Sequence, residues 1–123
     1  MPELAELDHA ISLSDQMQSG EQGHVVLINV FHVAPEEEDA LIEAWSRDAE
    51  FMKQQPGYIS TQLHKGIAGS LTLMNYAIWE SVESFRAAFT NPEFQKHIAA
   101  YPSSAVVSPH LFKKLAVDGL CVD

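Results

Sequence analysis

Cysteine and positive charge are both scarce in this chain of 123 residues. Its one cysteine, Cys121, allows no disulfide within the chain, which excludes a secreted disulfide scaffold. Seven Lys and Arg stand against 17 Asp and Glu, and the net charge is −10. Because nucleic acid and anionic membranes are bound by clustered Lys and Arg that displace counterions, we expect neither nucleic acid nor a membrane as a partner.

Long apolar runs are also lacking. The purely apolar run Val25 to Ile28 is far shorter than the roughly 20 residues that span a bilayer. Residues 1–22 carry five acidic side chains and no Lys or Arg, the reverse of the basic start of a secretory signal peptide. We therefore expect a soluble, cytoplasmic protein.

The length and the 46% share of hydrophobic residues are typical of one domain with a packed core. Residues 1–22 are polar and acidic, and we expect an N-terminal arm that is either disordered or a short docking helix. Residues 23–117 carry the strand and helix patterns of a folded domain. Residues 118–123 are left as a C-terminal tail.

Strand and helix signals alternate through the folded domain. The predicted elements are a strand at 25–31, a helix from 35 to about 55, strands at 58–64 and 71–79, a helix from 81 that restarts at 91–92, and an extended region at 106–117 broken by Pro109. This βαββαβ order predicts a ferredoxin-like α+β fold with a four-stranded antiparallel sheet. Two helices cover one face of such a sheet, so we expect a homodimer formed through the other face.

Several short motifs occur in an order that is similar to one known family. They are Leu27-Ile28-Asn29-Val30-Phe31, the acidic helix start after Pro35, Pro56-Gly57-Tyr58, Asn75-Tyr76-Ala77-Ile78-Trp79-Glu80-Ser81 with Phe85-Arg86 after it, and Asn91-Pro92-Glu93-Phe94. Together they resemble the antibiotic biosynthesis monooxygenase family over residues 24–117. The resemblance implies a homodimeric α+β barrel with a pocket between the sheet and the helices of each subunit.

The resemblance also implies a reaction. Some members of the family oxidise polycyclic phenols to quinones with O2 and with no metal, flavin or haem. On this resemblance Asn75 and Trp79 line the pocket, whereas Phe85 stands where such a member has a tyrosine and lacks its hydroxyl. We therefore expect a monooxygenase that needs no cofactor and oxidises a small phenolic or quinol-like aromatic substrate to a quinone.

The residues themselves are suited to such chemistry. Side chains alternate along a strand, so Asn75 and Trp79 share one face of the third predicted strand. Their amide and indole N–H groups could stabilise the oxyanion of a deprotonated phenol or anthrone, and Asn29 on the first predicted strand could add a second amide. Alternatively, the asparagines could satisfy backbone groups and Trp79 could be a core residue.

His97 is the best general-base candidate among the six histidines. It lies on the apolar edge of the second helix region with Phe94 and Tyr101, where an imidazole could accept a proton near neutral pH. It could instead be a core-edge histidine bonded to a carbonyl. With Tyr101, the other predicted substrate-binding residues are Asn29, Phe31, Phe85 and Arg86.

The remaining ionisable residues give weaker signals. Arg86 could hold an acidic group of the substrate or pair with Glu83 or Glu93. His32 and His64 could face a pocket, but their spacing matches no metal motif, so no metal site is predicted. We predict that His9, His24 and His110 lie at the surface or in loops.

Two alternative functions stay open. A haem-binding or haem-degrading protein of the same superfamily would match Asn29, but its helix tryptophan would fall on Ala88 and its histidine on Ile98. His97 is one residue away, and one residue turns a helical side chain by about 100°. A dimer that binds a small aromatic ligand without catalysis is also compatible with the sequence, because a fold does not determine a reaction.

Overall fold

The computed structural model describes residues 1–122, which form a five-stranded sheet with helices packed on one face. The elements are β1 (Glu3–Leu4), α1 (Leu13–Met17), β2 (Val25–His32), α2 (Glu38–Met52), β3 (Tyr58–Lys65), β4 (Thr72–Trp79), α3 (Val82–Phe89), α4 (Pro92–Ala99) and β5 (Val106–Phe112). The spatial order is β1-β5-β2-β4-β3. From β2 onward, the predicted ferredoxin-like α+β arrangement is confirmed. Within the described residues, no helix has the length and hydropathy of a membrane span.

The sheet has one strand more than the four antiparallel strands that the sequence predicts. Within the arm, Glu3–Leu4 pairs parallel with β5, whereas β2, β3, β4 and β5 pair antiparallel. The backbone N–H groups of Glu3 and Ala5 donate to the carbonyls of Ala105 and Val107, each at 2.9 Å. The sheet is therefore mixed. A strand of two residues is too short to show a period in the sequence.

The prediction that Pro109 breaks the last extended region is wrong, since β5 runs through it and ends at Phe112. Val107 O and Leu111 N both form hydrogen bonds at the outer edge of β5, to Ala5 and to Gln16. Pro109 lies two residues from each of them, and alternate residues of a strand direct their backbone groups to the same edge. The N–H that proline lacks would therefore lie on the outer edge. A proline at such a position removes no hydrogen bond between β5 and β2.

The helix starts follow the expected local chemistry. A 3₁₀ turn at Pro35–Glu37 leads into α2, and the acidic residues Glu38 and Asp39 lie at the positive end of the helix dipole. Ser81 caps α3 in a reciprocal capping box with Ser84. The predicted restart at Asn91-Pro92 is confirmed, because the Asn91 side chain accepts a hydrogen bond from the backbone N–H of Glu93 at 2.9 Å.

The core is divided into two clusters on the helix-covered face of the sheet. One surrounds Trp79 and Phe85 and includes the two buried residues of α1, Leu13 and Met17. The other surrounds Phe31 and includes Leu41 from α2. Side chains from both clusters line a cavity between the sheet and the helices. The fold therefore places an internal cavity at the centre of the helix-covered face.

A glutamine provides a second attachment of the arm to the edge of β5, besides the pairing of β1. The Gln16 side chain accepts from the Leu111 N–H and donates to the Leu111 carbonyl, both at 2.9 Å, as a neighbouring strand would. Its Nε2 also donates to Nε2 of His110 at 3.2 Å. His110 is 9% exposed, so the prediction that it lies at the surface or in a loop is wrong. Its hydrogen-bond partner Gln16 is 94 positions away in the sequence.

Candidate functional site

The central cavity has a volume of about 50 Å³ and lies between the sheet and helices α2, α3 and α4. Its lining is mostly apolar and aromatic. The polar side chains that line it are those of Asn29, Asp48, Tyr58, Thr61 and Asn75. A second cavity of about 40 Å³ is also lined by Asn29, Phe31 and Asp48 and adds Tyr101. The two cavities together form a narrow apolar cleft with a small set of polar groups, which is typical of a small-molecule site.

The predicted pair of asparagines lies within this cavity. Asn29 on β2 and Asn75 on β4 are directly opposite each other in the strand register. The Thr61 hydroxyl donates to Oδ1 of Asn75 at 2.5 Å, and the backbone N–H of Ser108 donates to Oδ1 of Asn29 at 3.1 Å. Each amide oxygen is thus held by a neighbour. Each amide nitrogen, which can only donate, is left to donate to a ligand.

Aromatic rings form the end of the cavity next to α3. Trp79 is 1% exposed, and its ring meets those of Tyr58 and Phe85 edge-on, with centroids 5.7 and 5.8 Å apart. Phe89 continues the row from Phe85 at 5.5 Å, and Phe94 follows at 5.1 Å. Trp79 and Phe85 each belong to the core and also line the cavity. For Trp79, the core role and the pocket role that the sequence left as alternatives therefore occur together.

A carboxylate that sequence reasoning missed also lines the cavity. The Tyr101 hydroxyl donates to Oδ2 of Asp48 at 2.9 Å, whereas Oδ1 is buried and accepts from none of the described residues. Burial raises the pKa of Asp48 from 3.8 to about 7, against the opposing effect of the Tyr101 hydrogen bond. Burial and the nearby Asp48 charge raise the pKa of Tyr101 above its usual range. The tyrosine therefore stays protonated and remains a donor.

The sequence did contain a signal for Asp48. Trp45, Ala49 and Met52 of α2 also line the cavity, and Asp48 lies three residues after Trp45 and four before Met52. These spacings place a carboxylate on the apolar face of an amphipathic helix. An ionisable residue in that position is expected to be buried and to have a shifted pKa.

Two predicted site residues lie away from the cavity. The His97 ring packs against Phe51 with centroids 5.7 Å apart and is not part of the cavity lining. The Arg86 guanidinium donates to the carbonyl of Met17 at 2.7 Å, so it holds the end of α1 instead of pairing with Glu83 or Glu93. Neither residue is brought together with the asparagines.

The histidines of the strands do not join the site either. His32 and His64 are exposed. The Nδ1 atom of His32 lies 3.1 Å from the hydroxyl oxygen of Thr72. Over residues 1–122, no three His, Cys, Asp or Glu side chains are grouped so that they could hold a metal ion. The haem alternative needed His97 as an iron ligand, and that histidine lies outside the cavity.

Known proteins with similar sequences and structures include monooxygenases. Tetracenomycin-F1 monooxygenase of Streptomyces glaucescens is 36% identical over 72 residues, which is 58% of this chain and 63% of that enzyme. The chain thus matches less than two thirds of that enzyme's length. SnoaB, a cofactor-independent oxygenase from Streptomyces nogalater, superposes with a TM-score of 0.67 at 26% identity, over 79% of this chain and 98% of that chain.

A further solved structure and the family comparison agree with these relatives. A candidate monooxygenase from Shewanella loihica PV-4 superposes with a TM-score of 0.67 at 34% identity, over 80% of this chain and 100% of that chain. The sequence model of the family described as antibiotic biosynthesis monooxygenase matches residues 24–100, which include β2, α2, β3, β4, α3 and α4. The chain therefore belongs to the antibiotic biosynthesis monooxygenase family.

Proposed function

We propose that this protein is a monooxygenase that needs no cofactor and uses O2 to oxidise a small phenolic or quinol-like aromatic substrate to a quinone. One observation carries the proposal. Asn29 and Asn75 line an aromatic cavity side by side, and their amide oxygens are already engaged by Ser108 and Thr61. Two fixed N–H2 groups are therefore available where the oxygen of a bound phenolate would lie.

The chemistry needs little more than this arrangement. A deprotonated phenol or anthrone supplies both electrons itself. It passes one electron to O2, and the radical pair recombines to a peroxide that loses water and leaves a carbonyl. One oxygen atom enters the product and the other leaves as water. Donors that are already oriented stabilise the developing oxyanion best in a site that excludes bulk water, and Asn29 and Asn75 are partly buried in a mostly apolar cavity.

The lining supports an aromatic substrate and limits its size. Trp79, Phe85 and Phe89 offer ring faces and edges for stacking. A volume of about 50 Å³ holds only a few water-sized probes, so a polycyclic ligand needs lining side chains to move aside. The names of the relatives, a tetracenomycin-F1 monooxygenase and a cofactor-independent oxygenase, support the same class of reaction.

We also propose that the protein works as a homodimer. Because Asn75 and Trp79 face the helices, Met74, Tyr76 and Ile78 face the opposite side of β4, and Tyr76 is 37% exposed. A second copy would cover this apolar face. Light scattering should give twice the mass of one chain for the wild type and one chain mass for Tyr76→Glu. A monomeric wild type would contradict the proposed dimer.

Oxygen uptake tests the proposed activity. The chelator-treated protein is mixed with anthrones, naphthols and reduced quinones, and the double variant Asn75→Ala, Trp79→Ala is measured beside it. We expect uptake by the wild type that the variant loses. His97→Ala, which changes a residue outside the cavity, is the matched control and should keep full activity. Binding of these compounds without any uptake would contradict the activity and leave a ligand-binding protein.

A further inference from the structure

Asp48 is the one carboxylate that lines the cavity within the described part of the chain. Its Oδ2 is occupied by the Tyr101 hydroxyl at 2.9 Å, and its Oδ1 has no partner among the described residues. A buried carboxylate oxygen without a hydrogen bond is costly in the folded protein. Because Asp48 lines the cavity, a bound ligand with an acidic O–H or C–H could donate a proton to this carboxylate.

No positive charge competes for this carboxylate. The lining of the cavity contains no Lys, Arg or His, and its other titratable group is the Tyr58 phenol on β3. The charged neighbours of Asp48 along α2 form ion pairs on the exposed side, where Arg47 bonds Glu43 and Lys53 bonds Glu50. Asp48 is therefore free to exchange a proton with a bound substrate.

If the cavity binds a phenolic or anthrone-like substrate, as proposed above, we infer that Asp48 is the base that removes its proton and that Tyr101 is the residue that positions Asp48. The asparagines stabilise the resulting anion but cannot accept a proton through their N–H2 groups. Asp48 lines the same cavity as Asn29 and Asn75, so a single substrate can contact the base and both donors.

Asp48 accepts one proton during the reaction and returns it before the product leaves. For an anthrone, the C–H bond breaks, its electron pair stays on the substrate, and the proton moves to the Asp48 carboxylate. The carbanion is oxidised by O2 through single-electron transfer and recombination, which forms a C–O bond. The peroxide then takes the proton back from Asp48, the O–O bond breaks with loss of the second C–H proton, and water leaves. Substrate and O2 give ketone and water, and the carboxylate is restored.

The pKa of Asp48 is suited to a general base. Burial raises the pKa of Asp48 to about 7, and a general base is most effective when its pKa lies near the working pH. Tyr101 opposes this increase by donating to the carboxylate. Loss of the tyrosine hydroxyl should therefore raise the pKa of Asp48 further and shift the pH dependence of the reaction upward.

Proton transfer can be measured without turnover. In the absence of O2, the full-length protein is mixed with 4-cyanophenol, a weaker acid whose phenol and phenolate have distinct ultraviolet spectra. The pH is set just above the pKa of Asp48, about 7, so that the carboxylate is largely ionised while the free probe is mostly neutral. We expect the wild type to bind it as the phenolate. Asp48→Asn, which keeps the shape and an acceptor for Tyr101, should bind the neutral phenol. Identical spectra for the two proteins, or no binding by the wild type, would overturn the inference.

A second variant keeps the test decisive if Asp48→Asn does not bind the probe. In Tyr101→Phe the pH at which bound phenolate appears should move upward, whereas an unchanged midpoint would overturn the role of the pair. With O2 present, Asp48→Asn should lower kcat by about 100-fold or more and remove the limb of the pH profile near 7. If no compound is turned over but the anaerobic proton transfer depends on Asp48, the monooxygenase proposal fails and the assignment of the base stands.

Discussion

Asn29 and Asn75 lie directly opposite each other on neighbouring strands, and each side chain is oriented by a different partner. The Ser108 backbone holds Asn29, whereas the Thr61 side chain on β3 holds Asn75. A backbone partner cannot be removed by substitution, but a hydroxyl can. A substitution at Thr61 can therefore test whether the orientation of the Asn75 amide matters while Asn75 itself is still present.

Thr61→Val should weaken catalysis while Asn75 is still present. Without the hydroxyl, the Asn75 amide is free to turn its oxygen toward the substrate oxyanion. We expect kcat to fall by roughly 10- to 100-fold, because small errors in orientation are costly, with a smaller change in KM. Thr61→Ser restores the hydroxyl and should recover most of the loss. Equal activity of the Val and Ser variants would show that the bond to Asn75 is not needed.

Asp48→Asn should make the protein more stable at alkaline pH. Burial raises the pKa of Asp48 from 3.8 to about 7, so the folded state holds this proton more tightly than the unfolded chain. The contribution of Asp48 to the free energy of unfolding is therefore most favourable below about pH 4. It is lost as the pH rises through about 7. Urea unfolding at pH 8 should show the variant more stable by about 2–4 kcal/mol, with a smaller difference at pH 5. A difference that grows on acidification would contradict the burial of Asp48.

Gly57→Ala should destabilise the turn between α2 and β3 more than a matched change elsewhere. Gly57 has φ of +87°, and an added Cβ would overlap the side chain of Ser84, in the capping box of α3. Gly69 also has positive φ, +76°, but an added Cβ would meet open space. Thermal unfolding should show a loss of about 1 kcal/mol for Gly69→Ala and about 3 kcal/mol for Gly57→Ala. Equal losses would mean that the contact with Ser84 relaxes at no cost.

Gln16→Ala should loosen the arm from the edge of the sheet. The variant removes both hydrogen bonds to the Leu111 backbone and the one to His110. We expect a loss of about 1–3 kcal/mol in the free energy of unfolding and faster hydrogen exchange at the Leu111 amide. Gln22→Ala is the control, because Gln22 donates only within its own turn, to Gly20. Unchanged exchange at Leu111 would show that the arm does not protect β5.

Residues 25–99 could be interpreted from the sequence because their signals are local and strong. The apolar strand at Val25, the proline turn that leads into α2 and the restart at Asn91 each follow from a few adjacent residues. The placement of Asn75 and Trp79 on one face follows from strand alternation alone. The family resemblance then supplied which face of β4 turns toward the helices.

The remaining features depend on contacts between distant residues. β1 is set by its hydrogen bonds to residues about 100 positions away, and the buried His110 bonds to Gln16, which is 94 positions away. Asp48 was missed for another reason, since the apolar face of α2 was identified from its apolar residues only. His97 also lies on an apolar edge, but that edge packs on Phe51 and not on the cavity.

Labelled oxygen tests the central claim most directly. The chelator-treated protein is supplied with an anthrone and ¹⁸O2, and the quinone product is analysed by mass spectrometry. The proposed reaction predicts one ¹⁸O atom in each quinone and one in water, with no hydrogen peroxide released, and loss of this product in Asn75→Ala, Trp79→Ala. A quinone whose new oxygen comes from water, with peroxide as the second product, would contradict monooxygenation.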